Sequence, residues 1–111
     1  MTYNKYHVSA KEERTLDGII FDSKKEMVRY KELTCMDTLN LITNLKRQVK
    51  FEVIPATEWS KPTYYIADFV YFDRSLNKEV IEDSKGIRTA VFNRKWKIMQ
   101  KRYPQYLFLL S

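Results

Sequence analysis

The sequence is poor in the residue types that build most small catalytic and metal sites. Cys35 is the only cysteine and His7 the only histidine, which excludes an intramolecular disulfide, a cysteine zinc site and a multi-histidine metal site, and makes a Ser-His-Asp triad hard to build. With two glycines, Gly18 and Gly86, the chain has neither a P-loop nor a dinucleotide-binding fingerprint. Cys35 falls in a helical pattern, where we expect a small buried hydrophobe. Any metal must be held by oxygen ligands, which favours Mg²⁺ or Mn²⁺ over zinc.

Long hydrophobic runs are absent too. No segment is long enough to span a bilayer and no signal-peptide pattern is present, so we expect a cytoplasmic protein without a membrane partner. The 111 residues fit one domain, and their 44% hydrophobic and 14% aromatic content predicts a folded chain. The net charge of +6 favours an anionic partner, although a generic basic surface would give the same composition.

The first part of the chain predicts a hairpin and then a helix. Residues 1–15 are polar and without a clear period, and we interpret them as a loosely attached N-terminal arm. Asp17-Gly18 between short apolar stretches is a hairpin-turn signal. Ser23 and Glu26 have capping-box spacing, and the helix that they begin should fade near residues 37–40. Its inward stripe comprises Glu26, Met27, Tyr30 and Leu33.

The rest of the chain predicts three strands, a helix and a final strand. The strands are expected at 48–53, 63–72 and 78–83, with a loop between Pro55 and Pro62 and a turn at 73–77. The second helix runs from about Thr89 to Tyr103, Pro104 ends it, and 106–110 is expected to be a buried strand. Its core stripe comprises Phe92, Trp96, Met99 and Tyr103. The predicted fold class is therefore α/β, a single domain of order α-β-β-β-α-β with a central mixed sheet flanked by helices.

Two acids and a lysine on adjacent predicted strands are the candidates for chemistry. Alternation places Asp68 on one face with Ile66 and Val70, where a lone carboxylate would be costly to bury. Asp83 and Lys85 share a face of the return strand, so Asp68 and Asp83 converge if the strands pair. Two carboxylates can hold Mg²⁺, and Lys85 can stabilise the transition state of phosphodiester hydrolysis. A buried Asp–Lys salt bridge is the alternative interpretation.

Strand register decides which of two adjacent acids joins that site. Strict alternation puts Asp83 with Lys85 and turns Glu82 to the other face, towards solvent or a basic residue. A β-bulge at the strand end would exchange the two acids.

The order of a helix with Glu26, a strand with Asp68 and then Asp83-Ser84-Lys85 resembles the PD-(D/E)xK, or restriction-endonuclease-like, superfamily. More closely, it resembles a family of small phage-encoded nucleases within that superfamily. The matching stretches are residues 4–6, 17–26, 65–71 and 82–86. The sequence departs from the pattern at Ala67, where the motif has proline, and at Asp83, where glutamate is commoner.

The resemblance implies a Mg²⁺-dependent endonuclease acting on DNA, with Mn²⁺ able to replace Mg²⁺. Its catalytic residues would be Glu26, Asp68, Asp83 and Lys85, and the three acids would also be metal ligands. Branched DNA, or a recombination or replication intermediate of a phage, would be the substrate in the host cytoplasm. Two alternatives stay open: an inactive nucleic-acid-binding module of the same fold, and an interaction protein whose acids form a salt-bridge network.

Basic side chains supply a candidate DNA-binding surface. Arg88 and Lys95 border the apolar stripe of the second helix, and Arg94 lies on its outer face, where a solvated role is equally compatible. Lys24 and Lys25 stand at the N-terminus of the first helix, where the helix dipole disfavours cations, which hints at an anion-binding role. Gln48 precedes a predicted strand, where a surface role is favoured and a contact with substrate is the alternative. Cutting both strands of a duplex needs two active sites, and a homodimer is the simplest way to supply them.

Overall fold

The structure, a computed structural model, describes residues 9–85 and 88–111. Within these ranges the strands are β1 (Thr15–Leu16), β2 (Ile19–Ile20), β3 (Ile42–Ile54), β4 (Thr63–Asp73), β5 (Lys78–Asp83) and β6 (Leu107–Leu110). The helices are α1 (Lys24–Thr38) and α2 (Ala90–Arg102), and a 3-10 turn at Lys11–Arg14 comes directly before β1. The predicted α/β class and the order of the main elements are confirmed. Among the described residues, no helix is long and apolar enough to cross a membrane.

A mixed sheet of order β3-β4-β5-β6 forms the centre of the domain. Its first three strands are antiparallel neighbours, and β6 returns parallel to β5 after the α2 crossover. The predicted strand at 48–53 is longer than expected and begins at Ile42. The final strand was wrongly predicted as buried: Leu107 and Leu109 are 36% and 37% exposed, because β6 is an edge strand with one face uncovered.

Local signals fix the ends of the first hairpin and of α1. Asp17 and Gly18 have φ of 53° and 76°, the left-handed pair of a two-residue hairpin turn, so the predicted hairpin is confirmed. Ser23 Oγ accepts a hydrogen bond from the Glu26 backbone N–H at 3.1 Å and caps α1. The helix ends with Asn40 at φ 60°, as in a Schellman motif.

The N-terminal segment is attached to the domain where it is described. Arg14 donates from Nη1 to the Phe21 carbonyl at 2.6 Å and from Nε to the Ser9 carbonyl at 3.0 Å. The earlier part of the predicted arm, which includes His7 and the matching stretch 4–6, lies outside the described residues. The same holds for Gly86.

Each helix covers a different face of the sheet. The stripe of α2 packs as predicted on a core that contains Tyr65, Ala67 and Ile81. On the other face, Leu33 of α1 packs with Phe69 and other buried side chains. The cores comprise Val53, Tyr65, Ala67, Val70, Ile81 and Met99 on the α2 side, and Leu33, Ile42, Phe69, Tyr71 and Val80 on the α1 side.

Cys35 is exposed, so its predicted role as a buried hydrophobe is wrong. The helix turns Leu33 into the core, and a residue two positions later lies on a different side of an α-helix. The position is helical as expected, but the side chain faces away from the sheet.

The face alternation of β4 is interrupted at Asp68. Ala67 and Val70, three residues apart, both belong to the core against α2, whereas Phe69 packs against α1. In a regular strand, residues three apart would point to opposite faces. The prediction that Ile66, Asp68 and Val70 share a face is therefore wrong. Ile66 is exposed and lies between two residues that face α2, whereas Val70 is buried in the core against α2.

The neighbouring strand changes face at the same level. Arg47 of β3 lies over the Phe21 ring on the α1 side, 4.4 Å from its centroid, while Val49 packs on the α2 side. Between them Gln48 has a φ of 52°, a conformation that is uncommon for a residue other than glycine. The pairing on either side of this level keeps one register, Arg47 with Phe69 and Val49 with Ala67. Gln48 therefore lies directly opposite Asp68.

Candidate active site

Asp83, the last residue of β5, is fully buried. The Tyr65 hydroxyl donates a hydrogen bond to its Oδ2. Lys85 Nζ lies 3.3 Å from Oδ1, yet in the described part of the chain Oδ1 has no partner with hydrogen-bond geometry. Burial raises the pKa of the Asp83 carboxyl well above its usual range, and the nearby Asp68 carboxyl raises it further, while Tyr65 and Lys85 oppose the change. The predicted common face of Asp83 and Lys85 is confirmed.

Asp68 lies beside Asp83 at the point where the alternation of β4 is interrupted. Its Oδ2 accepts a hydrogen bond from the Ser84 backbone N–H at 2.9 Å, which ties the carboxylate to the end of β5. Phe69 pairs with Glu82, so the position before Phe69 faces the position after Glu82. The structure thus brings together the two acids that the sequence predicted to converge.

Glu26 approaches these acids from the first turn of α1 and is only 3% exposed. Gln48 Nε2 donates to Glu26 Oε1 at 3.2 Å and lies 3.5 Å from Asp68 Oδ1, so one amide links the two carboxylates. Arg47 Nη2 lies 3.8 Å from the same Glu26 oxygen. Burial, and then the charge of Asp68, raise the pKa of Glu26 to about 7. The backbone N–H of Glu26 takes part in the helix cap by donating to Ser23, while its side chain belongs to the site.

The neighbouring acid Glu82 belongs to a different group on the α1 side. Arg29 donates to its two carboxylate oxygens at 2.6 and 3.0 Å, and the Tyr71 hydroxyl donates at 2.6 Å. The β4–β5 register is constant through Glu82, so no bulge exchanges it with Asp83. Of the two environments expected for Glu82, the basic partner is confirmed and solvent is wrong. The Glu82 hydrogen bond and ion pair raise the pKa of Arg29.

The predicted basic residues take different positions. Lys95 donates to the Tyr64 carbonyl at 3.0 Å, on the β4 segment that leads to Asp68. Lys25 Nζ lies 3.4 Å from the Lys85 carbonyl, which places a second lysine next to the site. The remaining predicted DNA contacts, Lys24, Arg88 and Arg94, are exposed.

Asp68, Asp83 and Glu26 are the candidate metal ligands of the site. Within 9–85 and 88–111, no group of three or more His, Cys, Asp and Glu side chains is close enough to hold an ion. Asp68 and Asp83 nevertheless fit a hard cation, since they are adjacent and buried and Asp83 Oδ1 lacks a hydrogen bond. Mg²⁺ is commonly bound by one or two carboxylates, with water and substrate phosphate completing its shell. Glu26 is connected to this pair through Gln48, and its role as a third ligand stays a prediction.

Sequence reasoning misses Tyr65, and for Gln48 it indicates a surface position or a substrate contact but not a link between two acids. Tyr65 lies in the predicted strand 63–72, which is rich in aromatic residues, and this pattern does not indicate that its hydroxyl binds Asp83. Gln48 is exposed, as expected, and yet connects Glu26 with Asp68. A buried tyrosine needs a polar partner, which is a signal available in the sequence. The left-handed backbone of Gln48 gives no such signal.

Fold and site together define a small α/β domain with a buried acidic pair, a lysine at the end of one strand and a glutamate contributed by a helix. The chain belongs to the DUF1064 family, described as a protein of unknown function, whose sequence model it matches over residues 4–109. Comparisons with curated proteins and with solved structures gave no match.

Proposed function

We propose that this protein is a Mg²⁺-dependent endonuclease that hydrolyses phosphodiester bonds in DNA. The observation that carries the proposal is the acidic cluster, defined as Glu26, Asp68 and Asp83, assembled from a helix and two strands next to Lys85. Burying three carboxylates together is costly unless a cation or another positive group neutralises them. Raised pKa values at such a cluster are typical of functional sites.

Each residue of the cluster has a distinct proposed role. Asp68 and Asp83 would hold Mg²⁺, or Mn²⁺ in its place, and the bound ion would supply an activated water and neutralise charge on the phosphate. Lys85, 3.3 Å from Asp83, would stabilise negative charge that develops on the phosphoryl oxygens. Glu26, with its pKa near 7, is suited to accept or donate a proton at neutral pH.

DNA is the proposed polymer because the chain carries a net charge of +6. The proposed contacts are Lys24, Lys25, Arg88, Arg94 and Lys95. A branched DNA, such as a recombination or replication intermediate of a phage, is the proposed substrate, and the host cytoplasm the proposed location. A two-fold dimer would supply the second site that double-strand cutting needs, and sedimentation with bound DNA tests this assembly.

An inactive nucleic-acid-binding module of the same fold is the second candidate. The ion pair between Lys85 and Asp83, together with the Tyr65 hydrogen bond, favours it because the buried aspartate is already partly compensated. The two candidates differ in their response to metal. A compensated network needs no divalent cation, whereas the nuclease requires one for turnover.

The deciding experiment incubates the protein with labelled single-stranded, duplex and four-way-junction DNA in Mg²⁺, Mn²⁺ or EDTA. We expect cleavage with either metal, none in EDTA, and none with Asp68→Asn. Asp37→Asn, an exposed acid on α1, is the matched control and should cut like the wild type. Cleavage that persists in excess chelator would refute the metal mechanism. DNA binding without cleavage of any substrate would favour the inactive module.

A further inference from the structure

A groove lies between α1 and the ends of β5 and β6. Its volume is about 370 Å³, within the size range of small-ligand pockets. The α1–β5 groove is lined by Lys24, Lys25, Val28, Arg29, Glu32, Ser84 and Ser111. Three cationic side chains and one acid give its lining an excess of positive charge.

Within residues 9–85 and 88–111, two hydroxyl groups of the α1–β5 groove find no hydrogen-bond partner. Ser84 is 7% exposed, and both its Oγ and the Oγ of Ser111 are buried and unpaired. Buried polar atoms in folded proteins are nearly always hydrogen-bonded, so two unpaired hydroxyls in one groove need an explanation. Rotation about χ1 between staggered positions changes the direction of a serine hydroxyl without moving the backbone. A ligand in the groove would supply the missing partners.

Charge indicates what that ligand is. Lys24 and Lys25 are exposed in the first turn of α1, where free backbone N–H groups and the helix dipole also favour an anion. Arg29 is already paired with Glu82, and its Nη1 lies 3.7 Å from Glu32. Among the described residues that line the groove, this leaves the two lysines as the cations for a ligand. Hydroxyl donors, two lysines and a helix N-terminus together suit a phosphate group.

The groove is directly connected to the acidic cluster. Ser84 follows Asp83, and its backbone N–H donates to Asp68 Oδ2 while its side chain lines the groove. Lys25 reaches the Lys85 carbonyl at 3.4 Å. Lys25 therefore lies beside the Lys85 backbone, where it could contact a neighbouring phosphate of a nucleic-acid strand bound at Lys85.

We propose that the α1–β5 groove binds a second phosphate of the substrate strand, adjacent to the one that is cleaved, through Lys24, Lys25 and Ser84 Oγ. The proposal rests on the proposed nuclease function for its substrate, but phosphate binding at the groove can be measured without any cleavage. It gives Ser84, between the two residues of the predicted motif, a substrate-binding role of its own.

The test uses amide chemical shifts of the metal-free, ¹⁵N-labelled protein. The probes are inorganic phosphate, the dinucleotide thymidylyl-thymidine with its single phosphodiester, and the neutral methylphosphonate analogue of that dinucleotide. We expect the first two to shift the amides of Lys24, Lys25 and Ser84, and the neutral analogue to leave them unchanged. Ser84→Ala and Lys25→Ala should each weaken binding by about tenfold, as for loss of a hydrogen bond to a charged group.

Lys31→Ala is the matched control, because Lys31 is an exposed lysine of the same helix outside the groove. It should bind both phosphate probes like the wild type. Shifts with inorganic phosphate alone would assign the groove to free phosphate and overturn the substrate-strand assignment. Absence of shifts with both probes, or equal effects of Lys31→Ala and Lys25→Ala, would overturn the groove itself. A protein that binds the dinucleotide here but never cuts DNA would refute the nuclease and leave the groove standing.

Discussion

The hydroxyl of Tyr65 donates a hydrogen bond to the buried carboxylate of Asp83, one strand away on the α2 side of the sheet. The bond favours the ionised form of Asp83, against burial and against the neighbouring Asp68. Burial also raises the pKa of Tyr65, and the charge of Asp83 raises it further, so the tyrosine stays a donor at neutral pH. An aromatic residue of the core thus helps to keep a candidate metal ligand charged.

Removing this donor should raise the pKa of Asp83 further. In Tyr65→Phe the carboxylate loses its hydrogen bond, and the free energy of unfolding should fall by about 1–3 kcal/mol at neutral pH. Carboxyl ¹³C shifts of the metal-free protein across a pH titration measure the pKa, and thermal unfolding measures the stability. Tyr64→Phe, which alters an exposed neighbour, is the control and should change neither. An unchanged Asp83 pKa in Tyr65→Phe would contradict this role.

Glu26 should make the metal-free protein less stable as the pH rises. Its folded-state pKa is raised from 4.5 to about 7, so the folded chain binds more protons than the unfolded chain between these values. Stability therefore falls as the pH rises from about 4.5 to about 7. Glu26→Gln should remove this loss. At pH 8 the free energy of unfolding of the variant should exceed that of the wild type by about 1–3 kcal/mol, and at pH 4.5 the two should differ little.

The same substitution should abolish cleavage, because a glutamine can neither ligate a metal as an anion nor exchange a proton. Glu58→Gln, at an exposed position in the loop 55–62, is the control for both measurements. Chemical denaturation at the two pH values gives the stability, and the DNA cleavage assay gives the turnover. A Glu26→Gln protein with wild-type turnover would remove Glu26 from the site and leave it a helix-terminal residue.

Asp83 and Glu82 should respond to substitution in opposite ways. We expect Asp83→Asn and Lys85→Ala each to lower turnover by a factor of ~10² or more while the fold persists. Glu82→Gln should leave turnover per folded molecule near the wild-type value but destabilise the protein by about 3–5 kcal/mol. It removes the buried charge that pairs with Arg29, and the longer contact with exposed Glu32 does not replace it.

Turnover and thermal unfolding, measured on the same preparations, separate the two effects. Lys78→Ala, an exposed lysine at the start of β5, is the control for Lys85→Ala. If Glu82→Gln is stable but inactive while Asp83→Asn stays active, Asp83 is not the catalytic acid and the site lies at Glu82 on the α1 face.

Lys95 and Arg88 should contribute to DNA affinity without sequence preference. Each contact with a phosphate releases counterions, so Lys95→Ala and Arg88→Ala should each reduce the slope of log affinity against log salt by about 0.9 on duplex DNA. Fluorescence anisotropy at several salt concentrations measures this slope. Lys101→Ala, exposed near the end of the same helix, is the control. Equal slopes in all three variants would show that Lys95 and Arg88 do not contact DNA phosphates and that α2 only presents a solvated basic face.

The sequence predicted most of the architecture because its local signals act over a few residues. Asp17-Gly18 specified a hairpin turn, Ser23 capped α1, and the stripe of α2 specified its buried side. Burial was harder to predict, as Cys35 and the edge strand β6 show. Which side of a helix or strand is covered depends on neighbours that are distant in sequence.

By itself the sequence determined the helices and strands, their order, and the shared face of Asp83 and Lys85. It could do so because helix period, strand alternation and turn chemistry are local properties. Only the tertiary structure decided that Gln48 lies opposite Asp68, that both strands change face at that level, and that Glu26 reaches the pair from α1. These relations depend on strand register and on a left-handed backbone at a residue other than glycine. The packed chain fixes both, and local propensity specifies neither.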